Sequence, residues 1–328
     1  MGQTESTAST PTKRFINDPH EVVEDTLEGF LWTTPGVVRL REGLRVLVRA
    51  DWDREDQGQR QVAVVTGGGA GHEPADIGMI GQGMLTAVAC GEIFAAPSVG
   101  SVVAMLEHVT GSAGCIVLVK NYLGDRLNFE MAIKKVASGP KRLKVRTVYV
   151  KDDVAAALLA QQSPEMKIPE EAMDQARTIA GTQLILKIAG AAADEGLSLD
   201  EVHKEAQAAA GVVRSLGVCF NTCTLPGHST DILHQGDDQL HIGLGIHGEP
   251  APMHSSSTAT ASTIMSNIVA KLEKAIPPEG PLCAMLNNLG SVPQNEMFIL
   301  AKQIMHTSLA ARIQLFVGPA RMVTALDM

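Results

Sequence analysis

Apolar and polar positions along this chain alternate between two rhythms. Behind an Asn/Asp start, Val22, Val23, Leu27 and Phe30 recur at helical spacing from about Asp18 to Gly29. Short runs rich in Val, Arg45–Val48 and Gln61–Val65, read as strands, and the second leads directly into a glycine run. Small-residue helical stretches are predicted near 75–90 and 98–110. Cys115–Val119 is continuously apolar and bounded by Gly114 and Lys120-Asn121, the signature of a strand buried on both faces. A helix near 126–138 and a strand at Val145–Val150 continue the alternation. Gln161–Met173 is polar, holds two prolines and reads as a surface excursion. Helices are predicted over Gln175–Glu195, Leu199–Leu216, Thr263–Ala275 and Phe298–Leu309. Strands are predicted over Leu240–Ile246, Leu282–Leu286 and Arg312–Val317.

This order predicts an α/β protein made of two α/β domains, each a sheet flanked by helices. The expected division is a disordered, Ser/Thr-rich tail at 1–14, a first unit at 15–197 and a second at 198–328, with the joint near 196–217. At 328 residues, 45% of them hydrophobic, the chain can bury a large core. Aromatic residues make up only 3%, with 31 glycines, which suits tight helix-on-sheet layers.

The net charge of -9 and the scatter of basic residues exclude a nucleic-acid-binding face. No run approaches the ~20 apolar residues that span a bilayer, so no membrane association is expected. Met1-Gly2-Gln3-Thr4-Glu5-Ser6 fits the loose myristoylation pattern, yet no polybasic patch adjoins it. Five cysteines, an odd number at irregular spacing, fit a reducing, cytoplasmic setting. Cys219 and Cys223 form C-x3-C without a second pair at zinc spacing, so no metal site is expected.

Three polar clusters follow apolar strands, where open α/β sheets place their ligands. The first is Thr66-Gly67-Gly68-Gly69-Ala70-Gly71-His72-Glu73-Pro74. Its glycines admit close approach of backbone N–H groups to a ligand. No Lys-Ser or Lys-Thr follows, so it is not a P-loop. The second is Lys120 to Asn128, in which Asp125 either caps a helix or faces a ligand. The third is Ile242 to Pro250. It holds a literal G-x-G-x-x-G, but Pro250 and Pro252 forbid the helix start that a dinucleotide site needs. His247 leaves this strand between glycines that do not shield its ring, beside Glu249.

Together these clusters resemble the K (substrate-binding) subunit or domain of the dihydroxyacetone kinase family. The matching segments are GGGAGHEP (67–74), IGQGML (80–85), GEIF and PS (91–94, 97–98), VKNYLGDRLNFE (119–130), GIHGEP (245–250) and NNLG (287–290). They occur in family order over about residues 17–328. The resemblance implies that His247 attacks the carbonyl of dihydroxyacetone, or a close short-chain ketose or aldehyde, and holds it as a hemiaminal. Such an attack needs a neutral imidazole. It further implies that His72 and Asp125 perform acid/base work on the hydroxyl that receives phosphate. Substrate contacts are implied for Gly69, Ala70, Gly71, His72, Lys120 and Asp125.

The sequence departs from the family in four places, one being the excursion at 161–173, which is longer than usual. Ala70 stands where relatives usually carry Ser, Asp76 stands where His is frequent, and relatives continue past Met328 into a further strand. Nothing resembles the helical L domain that carries ATP or ADP and magnesium. The resemblance therefore places the phosphate donor on an L-type subunit or further domain, and implies a homodimer. Whether ATP or a phosphoenolpyruvate relay supplies the phosphate stays open. The alternative is a non-catalytic relative that senses dihydroxyacetone and co-regulates transcription. Retention of His72, Asp125 and His247 together favours catalysis.

Overall fold

The computed structural model describes residues 14–159, 167–228, 239–249, 251–256 and 259–328. The first half contains α1 (Val22–Thr33), β1 (Val37–Arg39), β2 (Val46–Arg49), α2 (Gln57–Arg60), β3 (Ala63–Ala70), β4 (Ala87–Ile93), α3 (Val99–Val109), β5 (Cys115–Lys120), α4 (Leu123–Ser138) and β6 (Val145–Val150). Then come α5 (Ala155–Leu159), α6 (Thr182–Asp194), α7 (Leu199–Val212), β7 (Val218–Cys219), β8 (Gln239–Ile242), β9 (Met253–Ser256), α8 (Ala261–Leu272), β10 (Leu282–Asn287), α9 (Gln294–Ile304) and β11 (Ile313–Ala320).

The first sheet has the order β1-β2-β4-β3-β5-β6. Strands β4, β3, β5 and β6 are parallel, while β1 and β2 add an antiparallel edge. Period-2 alternation sorts the two faces of this sheet. Leu47, Val64, Val88, Ile116 and Leu118 share one core with Val23 and Leu27 of α1, Ile185 and Leu186 of α6, and Val202 and Ala206 of α7. Val46, Val48, Val65, Val117 and Val119 share the other with Met105 and Leu106 of α3 and Phe129 of α4. Burial on both faces explains why β3 and β5 read as unbroken apolar runs.

The remaining strands form an antiparallel sheet, β7-β8-β9, and a parallel pair, β10-β11. Leu240 and Ile242 pack with Ile264, Met265 and Ile268 of α8 and Ile304 of α9. A further core joins Ile179 and Ala180 to Leu244, Ile246, Val323, Ala325 and Met328.

Several expectations need correction. The helical stretch predicted over 75–90 is a single 3-10 turn at Ile77–Met79 followed by β4. β4 is paired with β2 on one side and β3 on the other, and its end at Gly91 lies against the turn that follows it. A Cβ on Gly91 would stand 1.9 Å from the Ala95 carbonyl oxygen. The helix predicted from Gln175 begins only at Thr182, because the buried Asp152 accepts from the Ile179 and Gly181 N–H groups and holds that segment extended. The strand predicted through Ile246 stops at Ile242, where Gly243 turns with φ +86°. β1 and β9 were not predicted; at 3 and 4 residues each offers too little period to read. α7, assigned to the second unit from sequence, packs on the first sheet. The tail up to residue 13 and residues 160–166 of the polar excursion lie outside the described residues. Arg14 is held by Asp327 (2.6 Å) and the Thr224 carbonyl (2.6 Å). Among the described residues no helix is long and apolar enough to cross a membrane.

Candidate active site

In the first sheet, β3 pairs with β4 on one side and β5 on the other. The carboxyl ends of these three parallel strands meet at that switch point, where a crevice opens. A cavity of about 120 Å3 occupies it, walled by Gly69, His72, Phe94, Ala96, Lys120, Tyr122, Gly124, Asp125 and His247. The structure thus gathers His72, Lys120, Asp125 and His247, which are up to 175 residues apart in sequence, around one space. Of the glycine run only Gly69 reaches the wall. Ala70 faces the core, and the Gly71 N–H donates to Glu73 Oε2 at 2.9 Å. The implied ligand contacts of Ala70 and Gly71 are therefore not part of this wall.

His72 is fixed from the far end of the chain. Its Nδ1 lies 2.7 Å from the Thr324 carbonyl oxygen, which can only accept, so the proton sits on Nδ1. The Thr324 and Leu326 N–H groups donate back to the carbonyls of His72 and Gly71, both at 3.1 Å. Nε2 is left as a bare acceptor, buried and without a protein partner. Burial, aided by His247 nearby, lowers the His72 pKa to about 3, so the ring is neutral.

Asp125 lies in the first turn of α4, but it is no cap. Tyr122 holds the N-cap position, and the Asp125 carboxyl is buried with Oδ1 unpartnered. Burial raises its pKa to about 6, against the pull of Lys120. Two orphaned acceptors on one small cavity are costly unless a hydroxyl fills them.

His247 is half-buried. Its Nδ1 lies 3.0 Å from Glu249 Oε1, and its backbone N–H donates to Glu249 Oε2. Burial pushes Glu249 upward, but its bonds to His247 outweigh this and hold it below the usual carboxylate range. With Nδ1–H given to Glu249, the Nε2 lone pair is left for the cavity. Phe94 and Tyr122 enclose the ring at centroid distances of 4.9 and 4.6 Å, and His72 stands 5.0 Å away. Tyr122 is anchored by its hydroxyl to the Thr178 carbonyl at 2.7 Å.

Glu249, Phe94, Tyr122 and Thr324 were not singled out from sequence. Glu249 left a signal two residues from His247, and Phe94 and Tyr122 stand inside the GEIF (91–94) and VKNYLGDRLNFE (119–130) segments, whereas Thr324 reaches the site through tertiary packing.

A model of the Dak1 domain matches residues 28–328. The chain belongs to the Dak1 family. It is 40% identical over 320 residues to a dihydroxyacetone kinase of Citrobacter freundii, covering 96% of this chain and 54% of that protein. It is 32% identical over 299 residues to the dihydroxyacetone-binding subunit DhaK of a PTS-dependent dihydroxyacetone kinase of Listeria innocua, covering 89% of this chain and 84% of that one. The crystal structure of the C. freundii kinase in its native form superposes with a TM-score of 0.84 at 39% identity, covering 96% of this chain and 55% of that chain. A dihydroxyacetone kinase operon co-activator, Dha-DhaQ, gives 0.81 at 27% identity, covering 93% and 89%. Against the C. freundii kinase and several other curated relatives, this Dak1 chain spans about half the length.

Proposed function

We propose that this chain is the ketose-binding part of a dihydroxyacetone kinase, holding dihydroxyacetone or a close short-chain ketose or aldehyde covalently on His247. The observation that carries the reading is the His247–Glu249 pair, which turns a free Nε2 lone pair into a cavity of about 120 Å3 shared with two unpartnered acceptors. Nε2 adds to the carbonyl carbon, and the π electrons move to oxygen, which gains, by relay through Glu249 and water, the equivalent of the proton that leaves Nδ1. The positive charge left on the ring is relieved as the Nδ1 proton shifts toward Glu249. Glycerol, having no carbonyl, cannot react.

His72 and Asp125 are then positioned to accept the proton of a terminal hydroxyl as it attacks the donor phosphate. Asp125, with a pKa of about 6, is ionised at neutral pH yet basic enough for the task. Lys120 and Gly69 contact the ligand oxygens. The donor, ATP with magnesium in the family pattern, belongs on a separate L-type subunit or a further domain. The C. freundii kinase has been captured with AMP-PNP and Mg2+, and this chain covers 56% of it. A cytoplasmic homodimer is part of the same reading. So is a two-unit division of the chain, with the joint placed after α7 because that helix packs on the first sheet.

Intact-protein mass spectrometry with dihydroxyacetone, followed by complementation with an ATP-loaded L-type partner, tests the proposal. The expected result is a reversible mass increase lost in His247→Ala, and formation of dihydroxyacetone phosphate. A chain that takes up the ketose but supports no transfer would favour the sensor reading, to which the co-activator likeness lends fold support. The unpartnered Asp125 and His72 atoms favour catalysis, since sensing needs no acid/base pair.

A further inference from the structure

Lys120 ends β5 and is buried, with only 7% of its surface exposed. Its ammonium carries three protons. One meets the Asp76 carboxylate and a second the Gly67 carbonyl oxygen at 3.2 Å, leaving the third for the cavity that Lys120 helps to wall. Gly68 makes room for this arrangement, since a Cβ there would stand 2.8 Å from Nζ.

Asp76 lies behind Lys120 and does not itself wall the cavity. It takes φ +62°, a left-handed conformation that side chains rarely adopt. Its side chain caps nothing in the following 3-10 turn, whose hydrogen bonds, such as Met79 N–H to the Asp76 carbonyl, are backbone ones. Its second oxygen, Oδ1, is buried without a partner. A strained backbone and a half-satisfied buried carboxylate are unfavourable locally, and such outliers collect where a site needs them.

We propose that Asp76 is a positioning residue. It pins Lys120 with one N–H toward the ligand and offsets the ammonium charge, so that Asp125 stays basic. This rests on the reading of Asp125 as the base that receives the hydroxyl proton.

The charged groups that face Asp125 are Lys120 from β5, Asp76 from the turn after β3, and His247 from the loop after β8. Lys120 pulls the Asp125 carboxyl down and Asp76 pushes it up, burial being the larger cause of its elevation. Glu73 and Cys90 lie on the far side, next to Asp76. Removing the Asp76 charge leaves the pull of Lys120 unopposed.

The test is the pH profile of kcat/KM for the full chain with its ATP-loaded L-type partner, in wild type, Asp76→Asn and Asp76→Glu. The acid limb of Asp76→Asn should move down by on the order of one pH unit, the effect of one charge lost from a buried cluster. KM for dihydroxyacetone should rise roughly tenfold as one oriented hydrogen bond is lost. Asp76→Glu should restore the limb. An unmoved limb in a folded Asp76→Asn protein overturns the proposal. Should Asp76→Asn fail to fold, 15N spectra of the unmodified chain decide. A slowly exchanging Lys120 ammonium coupled to the Asp76 carboxylate supports the pairing, and its absence refutes it. If wild type makes no dihydroxyacetone phosphate, the kinase reading falls. The carboxyl 13C titration of Asp125 then judges Asp76 alone: a lower midpoint in Asp76→Asn supports its role, and an unchanged one overturns it.

Discussion

Glu249→Gln isolates the step on which the reading depends. Glu249 serves two donors at once, with Oε1 facing His247 Nδ1 at 3.0 Å and Oε2 facing the His247 backbone N–H. Glutamine has one acceptor oxygen and one donating NH2. If its oxygen keeps the backbone N–H, the NH2 faces Nδ1 and drives the ring to the Nε2–H tautomer, which has no lone pair for the carbonyl. If it keeps Nδ1, the backbone N–H is stranded beside an NH2. In either case one charge-assisted hydrogen bond, worth about 1.5–3 kcal/mol, is lost. That loss corresponds to an adduct weaker by about 10- to 150-fold. The carboxylate that receives charge from the adduct ring is lost as well, so the effect should lie toward the upper end. Titration of intact protein with dihydroxyacetone, following the adduct mass at fixed pH, measures this constant. Space filling is preserved, because Glu249 and Gln are near-isosteric. An adduct constant within twofold of wild type would refute the argument that Glu249 sets the reactive tautomer.

Other outcomes follow from the same geometry. Asp125→Asn should spare the adduct and slow phosphoryl transfer by roughly 10²–10⁴-fold in the coupled assay. It should also raise the melting temperature at pH 7. The folded pKa of Asp125, about 6, lies above the unfolded value near 3.8, so its contribution to stability is present at low pH and is lost as pH rises through that window. The asparagine variant escapes a cost on the order of 2–3 kcal/mol, visible as a calorimetric difference that vanishes below pH 4. Gly67→Ala should destabilise by roughly 1–3 kcal/mol in urea unfolding, because its Cβ would stand 2.4 Å from the Ala89 carbonyl oxygen. Tyr122→Phe removes the 2.7 Å bond to the Thr178 carbonyl and should cost about 1 kcal/mol of stability, while the adduct still forms.

The sequence alone determined the α/β class, because hydrophobic period and turn residues are local properties. It marked β3, β5 and β6 by their Val-rich runs, α3 and α4 by their spacing, and three polar clusters at strand ends. His72, Lys120, Asp125 and His247 were legible because each stands in such a cluster. β4 was not, since its Ala, Cys and Gly positions carry no strand propensity. Its backbone pairing with β2 and β3 makes it a strand, and at Gly91 a side chain would collide with the Ala95 carbonyl of the turn that follows. Nor could the sequence tell a helix-capping Asp125 from a ligand-facing one, because burial decides between them. The tautomers of His72 and His247 were likewise settled by the fold. One depends on a carbonyl 252 residues away and the other on a carboxylate two residues away. Chemistry-bearing residue types are written locally, but their protonation, orientation and shared cavity arise where distant segments exclude water together.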